Sequence, residues 1–404
     1  MQTKKFLGVV TLSMITSVAL YATNGDTLIG VGAKTRSMGG AGIAFSHGSE
    51  STLVNPALIT HINDNEISFG GTIFMPDVST DIRPYSGGKK DSDADISIIP
   101  AVALSSKIGK NLYIGTGMWG TAGMGTDFRD YNSLFNMETT LQLMQFAIPV
   151  AYKMEGLSIG VAPIVQYGSL DIHYVMGTTT VSPGQSQDFG LGGSIGLTYD
   201  FDNGLTIGAV YKSEIKMSYK NVLSKATAPF QALPNFPEIG DTLEQPAEYG
   251  IGLGYTYGSH SIAIDYKKIA WSSATGYEQF GWEDQNVFAI GYQYKQDNWS
   301  IRAGYNHASN PLSIYNGSGM DMAGAALNMF NLLGFPATAQ NHYTIGATYE
   351  FSETFSMDFT AVYAPEVTTS ADISALQNIG MTGIDSIEND HSELGITIQL
   401  NYKF

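Results

Sequence analysis

Residues 391–404 read His391-Ser392-Glu393-Leu394-Gly395-Ile396-Thr397-Ile398-Gln399-Leu400-Asn401-Tyr402-Lys403-Phe404. Leu394, Ile396, Ile398, Leu400, Tyr402 and Phe404 share one parity, while Gly395, Thr397, Gln399, Asn401 and Lys403 share the other. A period of two sends the two sets to opposite faces of a β-strand. In a soluble sandwich the apolar face buries against a second sheet. In an outer-membrane barrel it meets lipid, and the polar face lines a lumen. One strand does not separate these cases, so the rest of the chain has to.

The last residue leans toward the barrel, because an aromatic carboxy-terminus on an alternating strand resembles the signal by which such barrels are recognised for insertion. The other end agrees. Residues 1–22 carry Lys4 and Lys5, an apolar run from Phe6 to Leu20 and the small Ala22, which is the layout of a secretory signal peptide cleaved after Ala22. That run is broken by Thr11, Ser13, Thr16 and Ser17 and falls short of the roughly 20 residues a spanning helix needs. No other stretch is long and apolar enough to span as a helix, so any embedding has to be as a barrel. Cysteine is absent, so there is no disulfide framework. The net charge of −17, or −19 once Lys4 and Lys5 are removed, argues against nucleic acid, whose phosphates require Lys and Arg. The 46 Gly and 23 Tyr, set against only 14% charged residues, suit strand bends, crowded lumens and interfacial girdles.

Strands are expected at about 66–75, 95–106, 112–119, 139–153, 157–173, 189–201, 205–217, 247–257, 260–271, 286–295, 299–307, 342–351, 355–364 and 392–404. That is an even number, as bacterial barrels require. The connections are an independent check. Short turns such as Asp202-Asn203-Gly204, Gly258-Ser259 and Gln296-Asp297-Asn298 alternate with long connections at 76–94, 120–138, 174–188, 218–246, 272–285, 308–341 and 365–391. Short periplasmic turns and long outer loops have this rhythm, and a sandwich has no reason to keep it.

Residues 23–60 break the pattern. Gly25, Gly30, Gly32, Gly39, Gly40, Gly42 and Gly48 make the stretch flexible, and no Gly-Lys-Ser/Thr follows to make a phosphate loop. It holds Arg36-Ser37-Met38-Gly39-Gly40-Ala41-Gly42-Ile43-Ala44 and, just before the first strand, Asn55-Pro56-Ala57. Taken alone, Asn-Pro reads equally as a turn. Together with the barrel pattern, the chain resembles the FadL/TodX family of outer-membrane transporters for long-chain fatty acids and aromatic hydrocarbons. The resemblance implies a fourteen-stranded antiparallel barrel over residues 63–404, in the outer membrane of a Gram-negative bacterium. It also implies that residues 23–62 fold inside as a hatch with Asn55, Pro56 and Ala57 near its end. In the family the third strand kinks inward and opens the wall sideways; here Gly115, Gly117 and Gly120 stand at that position.

Inward parity places Lys212, Asp265, Lys267, Lys295, Arg302, Glu350 and Asp358 in the lumen. They read as a solvated, mutually paired interior, or as a site where Arg302 or Lys267 holds an amphiphile's carboxylate. Family members that move fatty acids imply the second. Leu141 and Leu143 fall on the face opposite Phe146 and Ile148, so part of the lumen wall is expected to be apolar. Burying alkyl groups there yields about 0.8 kcal/mol per CH₂. Residues 320–333 read as a short helix whose soft face includes Leu327, Phe330 and Leu333; the 218–246 loop adds Phe230 and Phe236. These are candidates for capturing cargo outside, or simply for packing over the barrel mouth.

No His-x-x-x-His pattern and no Gly-x-Ser-x-Gly elbow is present. No catalytic residue, cofactor or metal site is expected. The expected partners are hydrophobic small molecules, with outer-membrane lipid and lipopolysaccharide around a monomer, and no nucleic acid. The function expected is passive transport of hydrophobic compounds, long-chain fatty acids first. The alternatives are a general porin, a structural or adhesive barrel, and a barrel hydrolase.

Overall fold

The computed structural model describes residues 23–404, and the expected signal peptide lies outside them. Fourteen strands form the wall: β1 Glu66–Pro84, β2 Ser97–Lys107, β3 Leu112–Met124, β4 in two pieces (Glu138–Ala147 and Val150–Met154), β5 Leu157–Met176, β6 Ser186–Asp200 and β7 Leu205–Lys212. They continue as β8 Glu248–Tyr257, β9 His260–Ile269, β10 Gln285–Gln296, β11 Trp299–Ala308, β12 Asn341–Glu350, β13 Phe355–Asp372 and β14 Ile384–Lys403. Each pairs antiparallel with the next, and β14 returns to β1 with Leu394 opposite Met75 and Lys403 opposite Glu66. The sheet is a closed fourteen-stranded antiparallel barrel, so no edge is left to lipid.

The parity of the last strand holds. Leu394, Ile398 and Tyr402 are exposed on the outer face, whereas Thr397, Gln399 and Asn401 are buried on the inner one. Likewise Tyr249, Ile251 and Leu253 of β8 point out between Gly250 and Gly252. In a membrane this outer band is solvated by acyl chains rather than water.

Four expected boundaries move. β1, β13 and β14 run well past the lipid band, to Pro84, to Asp372 and from Ile384. β7 ends at Lys212 instead of 217: Ile215–Ser218 leaves the wall, turns inward and pairs with Thr242–Gln245.

Residues 23–62 lie within the ring. Ser49 bonds Ser68 on β1, Thr52 bonds Ser105 on β2, Thr60 bonds Ser158 on β5, and Thr360 on β13 bonds the Ala33 carbonyl. A segment reaching strands all round the ring, always on their inward face, has to be inside it. The wall is glycine where this segment runs closest. A Cβ at Gly208 would lie 2.5 Å from the Ile43 carbonyl oxygen, and one at Gly304 2.2 Å from the Gly39 amide. The segment contains one short α-helix, α1 (Ala33–Ser37), and two short 3-10 helices, Gly48–Leu53 and Pro56–His61.

The long-loop end is closed by α2 (Leu223–Thr227), α3 (Met322–Gly334) and the inner hairpin. All of α3 is buried, and Asp321 caps it by accepting from the Gly324 amide at 3.0 Å. The expected single apolar face is therefore corrected: a helix apolar on nearly all sides is enclosed rather than laid over a surface.

Candidate functional site

Four spaces open in or beside the lumen. The uppermost, under α3, is an apolar chamber lined by Met124, Leu141, Leu170, Leu243, Phe280, Trp282 and Phe335, with Tyr277 and Asn331 as its polar members. Asn331 is fully occupied, accepting from the Trp282 indole at 3.3 Å and donating to the Phe280 carbonyl at 2.8 Å. Trp271, Tyr277 and Trp282 form an aromatic cluster with centroids 4.6–5.0 Å apart. The free space is about 20 Å³, room for one water, so an occupant has to displace side chains.

Leu141 and Leu143 lie where the broken alternation of β4 put them, inward and 1% exposed. Leu327, Phe330, Leu333, Phe230 and Phe236 also belong to this apolar cluster. The structure places them facing down into the roof rather than outward as a landing surface, because Phe330 stacks among Tyr174, Phe230 and Phe280 at 5.3–6.1 Å.

Beside the chamber is a second cavity of about 20 Å³, with Lys212, Ser213, Gln245, Glu248 and Gln145 in its lining. Lys212 and Lys267 flank the one carboxylate of Glu248 at 3.6 and 3.8 Å. The buried Gln145 donates to Gln166 at 2.8 Å, while its Oε1 has no hydrogen-bond partner. Chamber and cavity meet at Asp26, which accepts from the Tyr277 hydroxyl on one side and from Gln245 Nε2, at 2.9 Å, on the other.

The third space is a gap in the wall. β3 pairs with β2 only as far as Trp119 opposite Ala101; its register against β4 then slips between Gly120 and Ala122. Beyond that point its inner partner is the N-terminal segment. Ala122 pairs with Thr27, and the Gly123 amide donates to the Asp26 carbonyl at 3.0 Å. The opening is lined by Thr23, Pro76, Val78, Gly123, Met124 and His391. Met124 also lines the chamber. The bend thus starts at Gly120. Gly115 and Gly117 stay in regular register with β2 and give room to Thr52 and Leu53 of the inner segment, so their expected part in the bend is corrected.

At the short-turn end, under the segment, opens a polar vestibule of about 220 Å³ that includes Lys34, Glu66, Lys295, Arg302, Glu350 and Lys403. Arg302 is here, and each of its nitrogens already makes one bond: Nε to Gln293 at 2.7 Å, Nη1 to Thr348 at 2.8 Å and Nη2 to Ser300 at 3.0 Å. Lys295 and Glu350 pair at 2.9 Å. Arg302 and Lys267, named together from parity, thus sit in different spaces, the latter beside Glu248 near the chamber.

Asn55 pins the segment to the wall. Its Nδ2 donates to the Ile43 carbonyl at 2.7 Å and reaches the Leu197 and Ala209 carbonyls, while Oδ1 accepts the Ala57 amide at 3.0 Å. Pro56 and Ala57 start the short helix that ends the segment and lie against the bare backbone of Gly160. Two buried acids were not foreseen. Burial pushes Asp26 up to about 6 against the pull of its Tyr277, Gln245 and Thr27 bonds, and pushes Glu50 up to about 7 against the attraction of Lys34. Nothing in the local sequence signals either, since both sit among Gly, Ser and Thr.

Residues 10–404 match the family model described as outer membrane protein transport protein (OMPP1/FadL/TodX). Among curated proteins, the chain is 24% identical over 354 residues to a 47 kDa outer membrane protein of Pasteurella multocida, covering 78% of this chain and 81% of that one. It is 22% identical over 362 residues to a long-chain fatty acid transport protein of Salmonella typhi, covering 76% and 80%. Among solved structures, the toluene transporter TodX of P. putida superposes with a TM-score of 0.68 at 16% identity, over 93% of this chain and 99% of that one. A FadL homologue of Pseudomonas aeruginosa gives 0.70 at 14%, over 94% and 100%.

Proposed function

The chain belongs to the outer membrane protein transport family (OMPP1/FadL/TodX), outer-membrane transporters of hydrophobic compounds, and on that premise we propose that its cargo is long-chain fatty acids. The family is one of transporters rather than enzymes. The observation that carries the cargo class is the junction at Asp26, where an apolar chamber abuts a cavity holding Lys212 with Lys267 close by. An alkyl tail in the chamber and a carboxylate against lysines that share a single Glu248 suit an amphiphile. Arg302 lines the vestibule on the far side of the inner segment, away from the chamber, so Lys267 and Lys212 are the head-group candidates. Cargo enters among the outer loops, passes through the roof of Leu327, Phe330, Leu333, Phe230 and Phe236, and leaves sideways past Met124 through the gap at β3. Residues 23–62, pinned by Asn55, Pro56 and Ala57, are the hatch that keeps the lumen shut meanwhile. The protein works as a monomer in outer-membrane lipid, with lipopolysaccharide around its outer loops.

A second reading, uncharged aromatic cargo, is favoured by the Trp271–Tyr277–Trp282 cluster beside the chamber. Uptake of labelled oleate and toluene by cells carrying Lys267→Met separates the two. Loss of a charged hydrogen bond to the head group lowers oleate uptake by about tenfold and leaves toluene within about twofold. Unchanged oleate uptake in both Lys267→Met and Lys212→Met would remove the carboxylate reading and leave the aromatic one.

A further inference from the structure

Two carboxylic acids of the N-terminal segment are buried inside the barrel, and neither has a cation against it. Asp26 is 0% exposed and accepts from the Tyr277 hydroxyl, from Gln245 Nε2 and from the Thr27 hydroxyl. Glu50 is 1% exposed and accepts from the Lys34 amide at 3.1 Å, the Thr35 amide at 3.2 Å, the Thr35 hydroxyl and Gln399 Nε2. Every one of these donors is uncharged. Among the described residues neither acid belongs to an ion pair; the Lys34 ammonium nearest Glu50 is engaged with Asp358 at 3.8 Å. Hydrogen bonds offset part of the desolvation of a buried carboxylate, but no countercharge completes it, so burial favours the neutral acid. Both carboxyls are accordingly pushed up, to about 6 and about 7, with burial the leading cause.

We infer that the N-terminal segment is a proton-clamped plug, seated firmly while Asp26 and Glu50 are protonated and loosened as they ionise. The idea rests on reading residues 23–62 as a hatch and adds a control to it. Once the segment leaves the wall both acids meet water and return to the usual range near 4. The seated form therefore binds protons more tightly than the released form. Its extra stability is present below that range and is lost as the pH rises through about 6 and about 7.

Other charges surround the two acids. Glu50 faces Lys34 on its own segment, Arg302 on β11 and Asp358 on β13, and Lys34 in turn faces Glu66 on β1. Asp26 faces Glu248, which is held between Lys212 and Lys267, and the Tyr219 and Tyr277 phenols. Asp265 on β9 accepts the Gly42 and Ile43 amides at 2.7 and 2.9 Å.

One buried base of the segment works in the opposite sense: His47 is 3% exposed, its ring meets the Ala41 carbonyl, and burial pushes it down to about 3, so the released form takes up that proton more readily and the seated form loses stability as the pH falls. A second group of charges lies on the wall. Glu393 on β14 takes His342 at 3.0 Å and His391 at 3.3 Å. Small Ala364, which pairs with Glu393, stands on β13 between it and His342 on β12. Arg36 of α1 lies over Gly395 on the same face, its Nε and Nη2 without hydrogen-bond partners.

Small-ion conductance of the full-length protein in planar bilayers decides between these signs. It is paired with amide hydrogen exchange over residues 23–62, corrected for intrinsic rates. Between about pH 5 and about pH 8 the clamp requires both to rise together by at least about tenfold, the equivalent of one pKa unit. In Asp26→Asn/Glu50→Gln, checked for a folded barrel, the rise is lost, and with His47 acting alone both stay level or fall. The two single variants each keep part of the rise, which covers a double variant whose segment does not seat. The clamp is refuted by conductance or exchange that is flat or higher in acid. A double variant that keeps the full rise, or a His342→Gln/His391→Gln variant that loses it, refutes it equally. Free exchange at every pH would remove the plug as well as its clamp, and exchange is read without any cargo.

Discussion

The two ends of the lumen are finished in opposite materials. The chamber under α3 is walled by Leu, Met, Phe and Trp and holds about 20 Å³ of free space. The vestibule at the short-turn end is lined by Lys, Arg, Glu, Ser and Thr and holds about 220 Å³. The residues of 23–62 separate them. An apolar molecule is at home in the first and gains nothing from the second, where it displaces water from charged groups. The contrast teaches that the favourable way out of the chamber is not downward. Met124, on the bent end of β3, lines the chamber and the gap in the wall alike.

Three substitutions test that contrast, from the largest effect to the smallest. Phe330→Ala removes a 2%-exposed ring from the roof and should destabilise the loop cap by about 3–5 kcal/mol, seen as early loss of near-ultraviolet circular dichroism on heating. If the roof unfolds no earlier than in the unaltered protein, the chamber is not a packed core. Asn55→Ala takes away the donor to three carbonyls and the acceptor for Ala57, so seating of the segment weakens by about 1–3 kcal/mol. Faster exchange over residues 23–62 and a leak of small sugars into liposomes report it; an unchanged, sugar-tight barrel would mean that Asn55 does not hold the two ends apart. Arg302→Met is the smallest. Arg302 lines the vestibule, across the inner segment from the chamber, and each of its nitrogens is tied to Gln293, Thr348 or Ser300, so oleate uptake should stay within about twofold. A large fall would put the head group in the vestibule and undo the comparison.

Much of the wall was legible because lipid outside and water inside impose a strict period of two, and β8, β10, β12 and the end of β14 obey it. Where lipid stops, the signal stops. Residues 365–372 and 384–391 are rich in Glu, Asp, Ser and Thr on both faces, so the long outer ends of β13 and β14 carry no apolar parity to read. The break after Lys212 was hidden for a different reason. Ile215 and Met217 are buried while Lys216 and Ser218 are exposed, so the inner hairpin continues the alternation of the strand it leaves. Periodicity tells that a residue is in a sheet, and is silent on which sheet.

The site divided in the same way. Leu141 and Leu143 were readable from β4 alone, because an apolar residue on the lumen side is a local anomaly. What Arg302 touches depends on Gln293 and Thr348, which only the closed ladder brings alongside. The acids at 26 and 50 owe their character wholly to what encloses them, and no neighbour in sequence hints at that.

The glycines facing the inner segment have one more consequence. Positions such as Gly160, Gly208, Gly291 and Gly304 leave the wall bare where the segment passes, like a mould that keeps the form of its casting. A wall without side chains there has nothing to swing into a vacancy. The ring itself is therefore a wide bore by construction, and what fills it is some forty residues that are not part of the ring, beneath a roof of loops.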